Sequence, residues 1–255
     1  MIIKQGNVDN LEYRVYDNRT NMGIAAAKDA AAAIKKLLEV KDEISMIFAA
    51  APSQNDFLEA FIADKTIDFS RINGFHMDEY VGLDLKAPQA FGQFLRDRLF
   101  EKVPFKSVNY INGSAEDINA ECERYASLLK KADPDIVCMG IGENGHIAFN
   151  DPHEAFFNDE KAVKTVSLDE VCRNQQVNDG CFATLGDVPT HAVTLTIPTL
   201  VAPRYVFCVV PAPTKANAVY TMLNGEIGEY CPCTILRRHG NAVLYTDKDS
   251  AKRIL

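Results

Sequence analysis

Apolar residues along this chain fall into short solid blocks separated by longer amphipathic stretches. Ile44 to Ala49, Ile136 to Met139 and Tyr205 to Val210 are nearly unbroken apolar runs, as expected of central parallel strands covered on both faces. Tyr13–Tyr16, Val108–Ile111, Val163–Val166 and Val243–Tyr245 are shorter strand candidates, and His191 to Ile197 alternates like a strand with one buried face. The run from Ile72 to Gly82 predicts one further strand that ends in the adjacent acids Asp78 and Glu79. Between these blocks the spacing predicts helices over Met22 to Val40, capped by Asn21 or Thr20, and over Phe57 to Ala63, Asp117 to Lys131 and Ala216 to Leu223. In Gln89 to Phe100 the stripe Phe91, Phe94, Leu95, Leu99 is a helical core face. The alternation of strand and helix is that of an α/β protein, with no linker, repeat or low-complexity tract to divide it.

The block Ile136–Met139 runs straight into Gly140-Ile-Gly142-Glu-Asn144-Gly145-His146-Ile-Ala-Phe-Asn-Asp151-Pro152. Glycines there let the backbone turn and bring N–H groups close to a ligand, and an imidazole follows at once. The spacing of Gly140, Gly142 and Gly145 also fits a dinucleotide fingerprint. That motif should open an apolar helix in an early βαβ unit, whereas this one reaches a proline within seven residues and lies past the middle of the chain. An active-site loop is the better reading.

Composition narrows the class. The chain has 255 residues, enough for one large α/β domain or two small ones, with 47% hydrophobic and 24% charged residues, ordinary globular values. A formal net charge of −8 argues against nucleic acid or an anionic membrane as partner, so an anionic substrate needs local donors. Seven cysteines without regular spacing, and a start that lacks a long apolar segment, fit a reducing compartment, with the cytoplasm as the expectation. Cys231-Pro-Cys233 lacks the two-residue spacing of zinc or redox pairs, so no metal is expected.

Four strand ends carry candidate chemistry. Ser53, Gln54 and Asn55 lie between a strand and a helix start, where free N–H groups favour an anion, although Ser53 could be a plain N-cap. Asp78 and Glu79 stand where an open α/β sheet binds ligands, and since neighbouring side chains diverge only one should face the ligand. His76 reads as a core or edge residue. The glycine loop with His146 and the acid Asp151 forms the third group. Lys215, after Pro211-Ala-Pro-Thr, is the fourth, and a polar segment from Asp169 to Asp179 containing Arg173 and Gln176 is placed near a site or an interface.

The motifs Met77-Asp-Glu-Tyr-Val-Gly-Leu83 and Gly140 to Pro152, with Asn112-Gly113, Asp117-Ile-Asn-Ala-Glu-Cys122 and Thr214-Lys215, resemble those of the glucosamine-6-phosphate deaminase (isomerase) family from about residue 20 to about 245. The resemblance implies a single domain over residues 1–255 with a doubly wound, mostly parallel, Rossmann-like sheet. It also implies conversion of an amino-sugar 6-phosphate and water to a ketose 6-phosphate and ammonia without a cofactor. Asp78 matches the family's base at C2 and His146 its ring-opening group. The implied partner is a small sugar phosphate, and a homo-oligomer stays open.

The chain departs from the commoner pattern at both ends of the site. Asn144 stands for an acid, and the shorter Asp151 for a glutamate, among the groups that orient the histidine. Ser53-Gln54-Asn55 replaces a Thr/Ser-Gly-Gly turn, so side-chain amides would have to replace backbone contacts to the phosphate. An expected arginine aligns with Gln176, leaving Arg173 as a displaced candidate, while Lys215 is retained and Gly142 is the loop's ligand-facing glycine. Two other readings stay open: a related sugar-phosphate isomerase or a 6-phosphogluconolactonase-like hydrolase, the lactonases carrying arginine where this chain has Tyr80, and a catalytically degenerate sugar-phosphate-binding regulator.

Overall fold

The computed structural model describes residues 1–178 and 180–255, so Asp179, the end of the polar segment singled out above, lies outside the described residues. The chain runs β1 (Ile2–Val8), β2 (Leu11–Tyr16), α1 (Arg19–Leu38), β3 (Ile44–Phe48), α2 (Asn55–Ala63), β4 (Ile72–His76), β5 (Asp78–Tyr80), α3 (Phe91–Leu95), β6 (Ser107–Asn109), α4 (Ile118–Ala132) and β7 (Ile136–Met139). It continues through β8 (Val163–Ser167), α5 (Glu170–Asn178), β9 (His191–Leu195), α6 (Ile197–Val201), β10 (Tyr205–Val210), α7 (Ala216–Asn224) and β11 (Ala242–Asp247). Eight strands form one sheet in the order β1-β2-β11-β10-β7-β3-β4-β6, parallel throughout except for the β1–β2 hairpin. A separate antiparallel sheet has the order β5-β9-β8.

The solid apolar blocks are explained by burial on both faces. Met46 and Phe48 of β3, Ile136 and Cys138 of β7, and Phe207 and Val209 of β10 point into the core beneath α1 and α2. Their alternates Ile47, Val137, Met139, Val206 and Cys208 point into the opposite core with Tyr125 and Leu129 of α4 and Val219 and Met222 of α7. A strand sandwiched in this way has no solvent face to mark with polar residues. From β3 the chain steps outward to β4 and β6, then returns beside β3 as β7 and steps the other way to β10 and β11. The order therefore reverses between β3 and β7, and the carboxyl ends of β3, β7 and β10 open on that crevice, the place where such sheets bind ligands.

Several element expectations are corrected. The edge strand β1 was not anticipated, because its Lys4, Gln5 and Asn7 give no apolar block. Helix α1 begins three residues earlier than expected and is capped by Asn18, whose side chain accepts from the Asn21 N–H at 2.8 Å, not by Asn21 or Thr20. The Gln89–Phe100 stripe is a short α-helix followed by a wider π-type turn over Arg96–Phe100. His191–Ile197 ends as a strand at Leu195, with Ile197 opening α6.

The main difference lies at Ile72–Gly82, which is two strands in two sheets. After His76 the chain leaves the main sheet, and Asp78 pairs with Thr194 of β9. His76 fixes this crossing. Its Nδ1 donates to the carbonyl of Asp78 at 2.9 Å while its Nε2 accepts the Ile111 N–H at 2.8 Å, a tautomer set by the two backbone partners. Full burial pushes its pKa down to about 4, so it is a neutral structural core residue.

Candidate active site

A cleft at the sheet reversal is lined from five segments: Ser53 and Gln54 after β3, Asp78 of β5, Gly140, Gly142 and His146 after β7, Gln176 of α5, and Lys215 after β10. The sequence places all of these but Gln176, which it puts in a polar segment, at an element boundary; the sheet order brings them together. Arg19, at the start of α1, also lines the cleft. It was missed because nothing in the local sequence distinguishes it from a solvated helix residue.

The loop after β7 is held from below. Asn150 Nδ2 donates to the carbonyls of Ile147 at 2.9 Å and Leu195 at 2.8 Å, and the Phe149 N–H donates to Thr194 Oγ1 at 3.1 Å. Strand β9 therefore carries both the Asp78 strand and the His146 loop. Gly142 packs so closely on the imidazole that a Cβ there would stand 2.1 Å from His146 Cε1, and its own N–H is committed to the His146 carbonyl at 2.9 Å. The expectation that Gly142 offers its N–H to a ligand is thus corrected: it makes room for the ring. Gly145 has φ of +83°, and a Cβ there would meet Cys231 Sγ at 2.4 Å, so both the turn and the packing require glycine.

Asp151, although a methylene shorter than glutamate, reaches the histidine. Its Oδ1 lies 2.9 Å from His146 Nδ1, a close contact of carboxylate and ring nitrogen that lacks the geometry of an aligned hydrogen bond. Burial alone would raise the Asp151 pKa, but the contact with His146 and the Asn144 amide outweigh it and hold the carboxyl below its usual value. Asn144 bridges the pair: its Nδ2 donates to Asp151 Oδ1 at 3.0 Å and its Oδ1 accepts the His146 N–H at 3.0 Å. Asp151 is wholly buried, and neither residue lines the cleft, so both act through His146.

Asp78 and Glu79 diverge. Asp78 lines the cleft, and burial, then the nearby Glu79 carboxylate, pushes its pKa well above the usual carboxylate range. Glu79 turns inward and accepts the N–H groups of Tyr80 at 3.0 Å, Phe91 at 3.0 Å and Gly92 at 2.8 Å, which ties β5 to the start of α3. Tyr80 is buried against Phe91, Phe149 and Phe182.

At the other end of the cleft Lys215 is only 5% exposed, in a 3-10 turn before α7. The turn is entered through Ala212 at φ of +84° and ψ of 147°, a region that costs a non-glycine residue about 1–3 kcal/mol. The Asp247 carboxylate, accepting the Ala212 N–H at 3.3 Å, and the flanking Pro211 and Pro213 hold it there. Arg19 is anchored by Asp56 at 2.6 Å and by the Pro52 carbonyl at 3.2 Å.

Three expectations for the anion end are corrected. Gln54 Nε2 is used on the Val209 carbonyl at 3.1 Å and on Ser53 Oγ at 3.2 Å, so its donors hold β10 and are not presented to an anion. Asn55 is the first residue of α2 and does not line the cleft. Arg173 donates to the carbonyls of Leu185 at 2.7 Å and Val188 at 3.0 Å and lines a different surface hollow. Gln176 does line the cleft, beside Gln175, whose Oε1 accepts the Glu143 N–H at 3.0 Å.

Comparisons with known proteins agree with this geometry. Residues 17–245 match the family profile of glucosamine-6-phosphate isomerases/6-phosphogluconolactonase. A glucosamine-6-phosphate deaminase of Bacillus cytotoxicus is 37% identical over 191 residues, 75% of this chain and 71% of that protein. One from an Exiguobacterium species is 36% identical over 220 residues, 86% of this chain and 84% of that protein. The solved structure of a monomeric glucosamine-6-phosphate deaminase superposes with a TM-score of 0.85 at 27% identity, covering 95% of this chain and 99% of that one. A 6-phosphogluconolactonase from Thermotoga maritima shares the fold, with a TM-score of 0.75 at 22% identity over 93% of this chain and 99% of that one. With its profile matched over most of its length and a cleft built from the residues that carry the motifs, this chain belongs to the glucosamine-6-phosphate isomerase/6-phosphogluconolactonase family.

Proposed function

We propose that the protein is a glucosamine-6-phosphate deaminase that converts an amino-sugar 6-phosphate and water to a ketose 6-phosphate and ammonia. The observation that carries this reading is the convergence of Asp78, His146 and Lys215, from three separate strand ends, on one cleft. The reaction moves protons without net oxidation, and these side chains are the kinds that move and neutralise charge.

His146 Nδ1 faces Asp151, which leaves Nε2 for the substrate. From there the imidazole relays a proton between the anomeric hydroxyl and the ring oxygen, opening the pyranose to the aldehyde. The Asp78 carboxylate then takes the C2 proton, giving an enolamine; protonation at C1 leaves an imine at C2, whose hydrolysis releases ammonia and the ketone. A carboxylate held partly out of water is a stronger base than a solvated one, which suits abstraction from carbon. Lys215 and Ser53 hold the phosphate, with Arg19 as a second, more exposed cation. Among the described residues no helix is long and apolar enough to cross a membrane, and the seven cysteines form no disulfide, which supports a cytoplasmic location.

Incubating the purified protein with a panel of amino-sugar phosphates and measuring ammonia tests the proposal. Ammonia equal to the ketose phosphate formed is the expected result. No ammonia from any of them, with hydrolysis of a phosphorylated aldonolactone instead, overturns it in favour of a lactonase.

A further inference from the structure

Behind the cleft, three side chains that the sequence keeps apart come together. His146 and Asp151 belong to the loop after β7, and Cys172 lies on α5. One ligand atom from each, the imidazole nitrogen, a carboxylate oxygen and Sγ, lies within 4.8 Å of the other two, and all three residues are buried. Asp151 Oδ2 has no hydrogen-bond partner, and His146 Nδ1 meets only Asp151 Oδ1, at 2.9 Å and without hydrogen-bond geometry, so the pair leaves buried donor atoms that a cation could bridge.

A nitrogen, an oxygen and a sulfur donor at this spacing are the ligand types of zinc. Bond lengths of about 2.0–2.3 Å in a tetrahedral site put ligand atoms roughly 3.3–3.8 Å apart, so the group needs to contract by about 1 Å. The 2.9 Å between Nδ1 and Asp151 Oδ1 is shorter than this spacing and has to open by about 0.4 Å, while the approach of the sulfur falls to the Cys172 side chain and its χ1 rotation. Thiolate with imidazole selects borderline-soft cations over magnesium or calcium. Three protein ligands leave one position for water.

We infer that His146, Asp151 and Cys172 form an inhibitory site for a thiophilic divalent cation of the zinc type. The inhibition rests on the proposed function: a cation on Nδ1 takes the place of the proton and of the Asp151 contact, so the imidazole can no longer cycle between its charged and neutral forms. The groups at the phosphate end are not involved. Zinc should therefore lower kcat and leave KM nearly unchanged.

Cobalt(II) is the probe, since a cobalt–thiolate bond gives a near-ultraviolet charge-transfer band whether or not the enzyme turns over. The metal-stripped full-length protein should bind one cobalt with this band. Cys172→Ala should abolish the band and weaken binding by at least about tenfold, and Cys172→Ser should do the same if the smaller alanine disturbs the fold. Both variants should keep the activity of the metal-free wild type and resist zinc. The competing thiols are Cys231 and Cys233, whose sulfurs lie 3.6 Å apart against Gly145. Cys231→Ser should leave the band intact. Absence of a thiolate band in the wild type, its persistence in both Cys172 variants, or its loss in Cys231→Ser each overturns the assignment. A wild type that binds cobalt through Cys172 yet releases no ammonia from any amino-sugar phosphate would retain the metal site and remove the deaminase reading.

Discussion

The two ends of the cleft are built in different ways. At the chemical end, His146, Asn144 and Asp151 come from one loop of eight residues, tied by contacts of 2.9–3.0 Å and seated on β9, which also carries Asp78. At the anion end, Ser53, Arg19 and Lys215 arrive from three distant segments, with Lys215 buried and the Arg19 side chain 44% exposed. The chemical end has little room to vary, because each group is positioned by another. The anion end needs only positive charge and donors at about the right place, and there the chain departs most from the family pattern.

The largest effect should come from Asp78. Asp78→Asn should lower kcat by about 10²–10⁴ while leaving KM nearly unchanged, since a base acts in the transition state and not in ground-state binding. A variant keeping more than roughly a tenth of wild-type turnover would remove Asp78 from this role. The same change should raise thermal stability. Because the folded pKa of Asp78 lies above its unfolded value, its contribution is fully present below the unfolded value, about 4, and is lost as pH rises through the folded one. Asparagine escapes that loss, so Tm should rise at pH 8, by about 2–4 °C per kcal/mol, and the difference should vanish near pH 3.

Next comes the partner of the histidine. Asp151→Ala should lower kcat by about 10–100-fold and shift its pH profile, with KM retained. An unchanged profile would make Asp151 a loop residue only and erase the contrast between the two ends.

Changes at the anion end should be smaller and should appear in KM. Lys215→Ala should raise KM by about tenfold, the worth of a charge-assisted hydrogen bond of roughly 1.5–3 kcal/mol, and by much less for an unphosphorylated analogue. Equal losses on both substrates would show that Lys215 does not read the phosphate. Arg19→Ala should raise KM only a few-fold, and less at high salt, because the guanidinium is exposed and already pairs with Asp56. Arg173→Ala should leave KM unchanged, because Arg173 holds the Leu185 and Val188 carbonyls away from the cleft. A KM rise matching that of Lys215→Ala would contradict this placement.

The strands buried on both faces were legible because an apolar run has one physical explanation in a sheet covered by helices, and β3, β7 and β10 lie where their runs predict. The break at Met77 was not, because the residues on both sides of it are suited to strands and they are divided between two sheets by distant partners, the hydrogen bonds of His76 and the pairing of β5 with β9. Gln54 and Arg173 misled for a related reason. A polar side chain at a strand end or near a site reads as a ligand donor, yet each is used on carbonyls that the sequence cannot locate.

By itself the sequence determined what depends on short spacing: the strand blocks, most of the helices, the glycine loop and the identity of the groups able to move protons. Residues a few positions apart are neighbours in any fold, so Gly142, Asn144, His146 and Asp151 were legible as a unit. Tertiary structure alone decided what depends on chain reversal. It set Lys215 and Arg19 around one cleft, turned Glu79 inward while Asp78 faced the opening, and placed the Cys172 thiol behind His146. Those meetings follow from sheet order and helix docking, which are fixed by burial summed over the whole core and have no local signature.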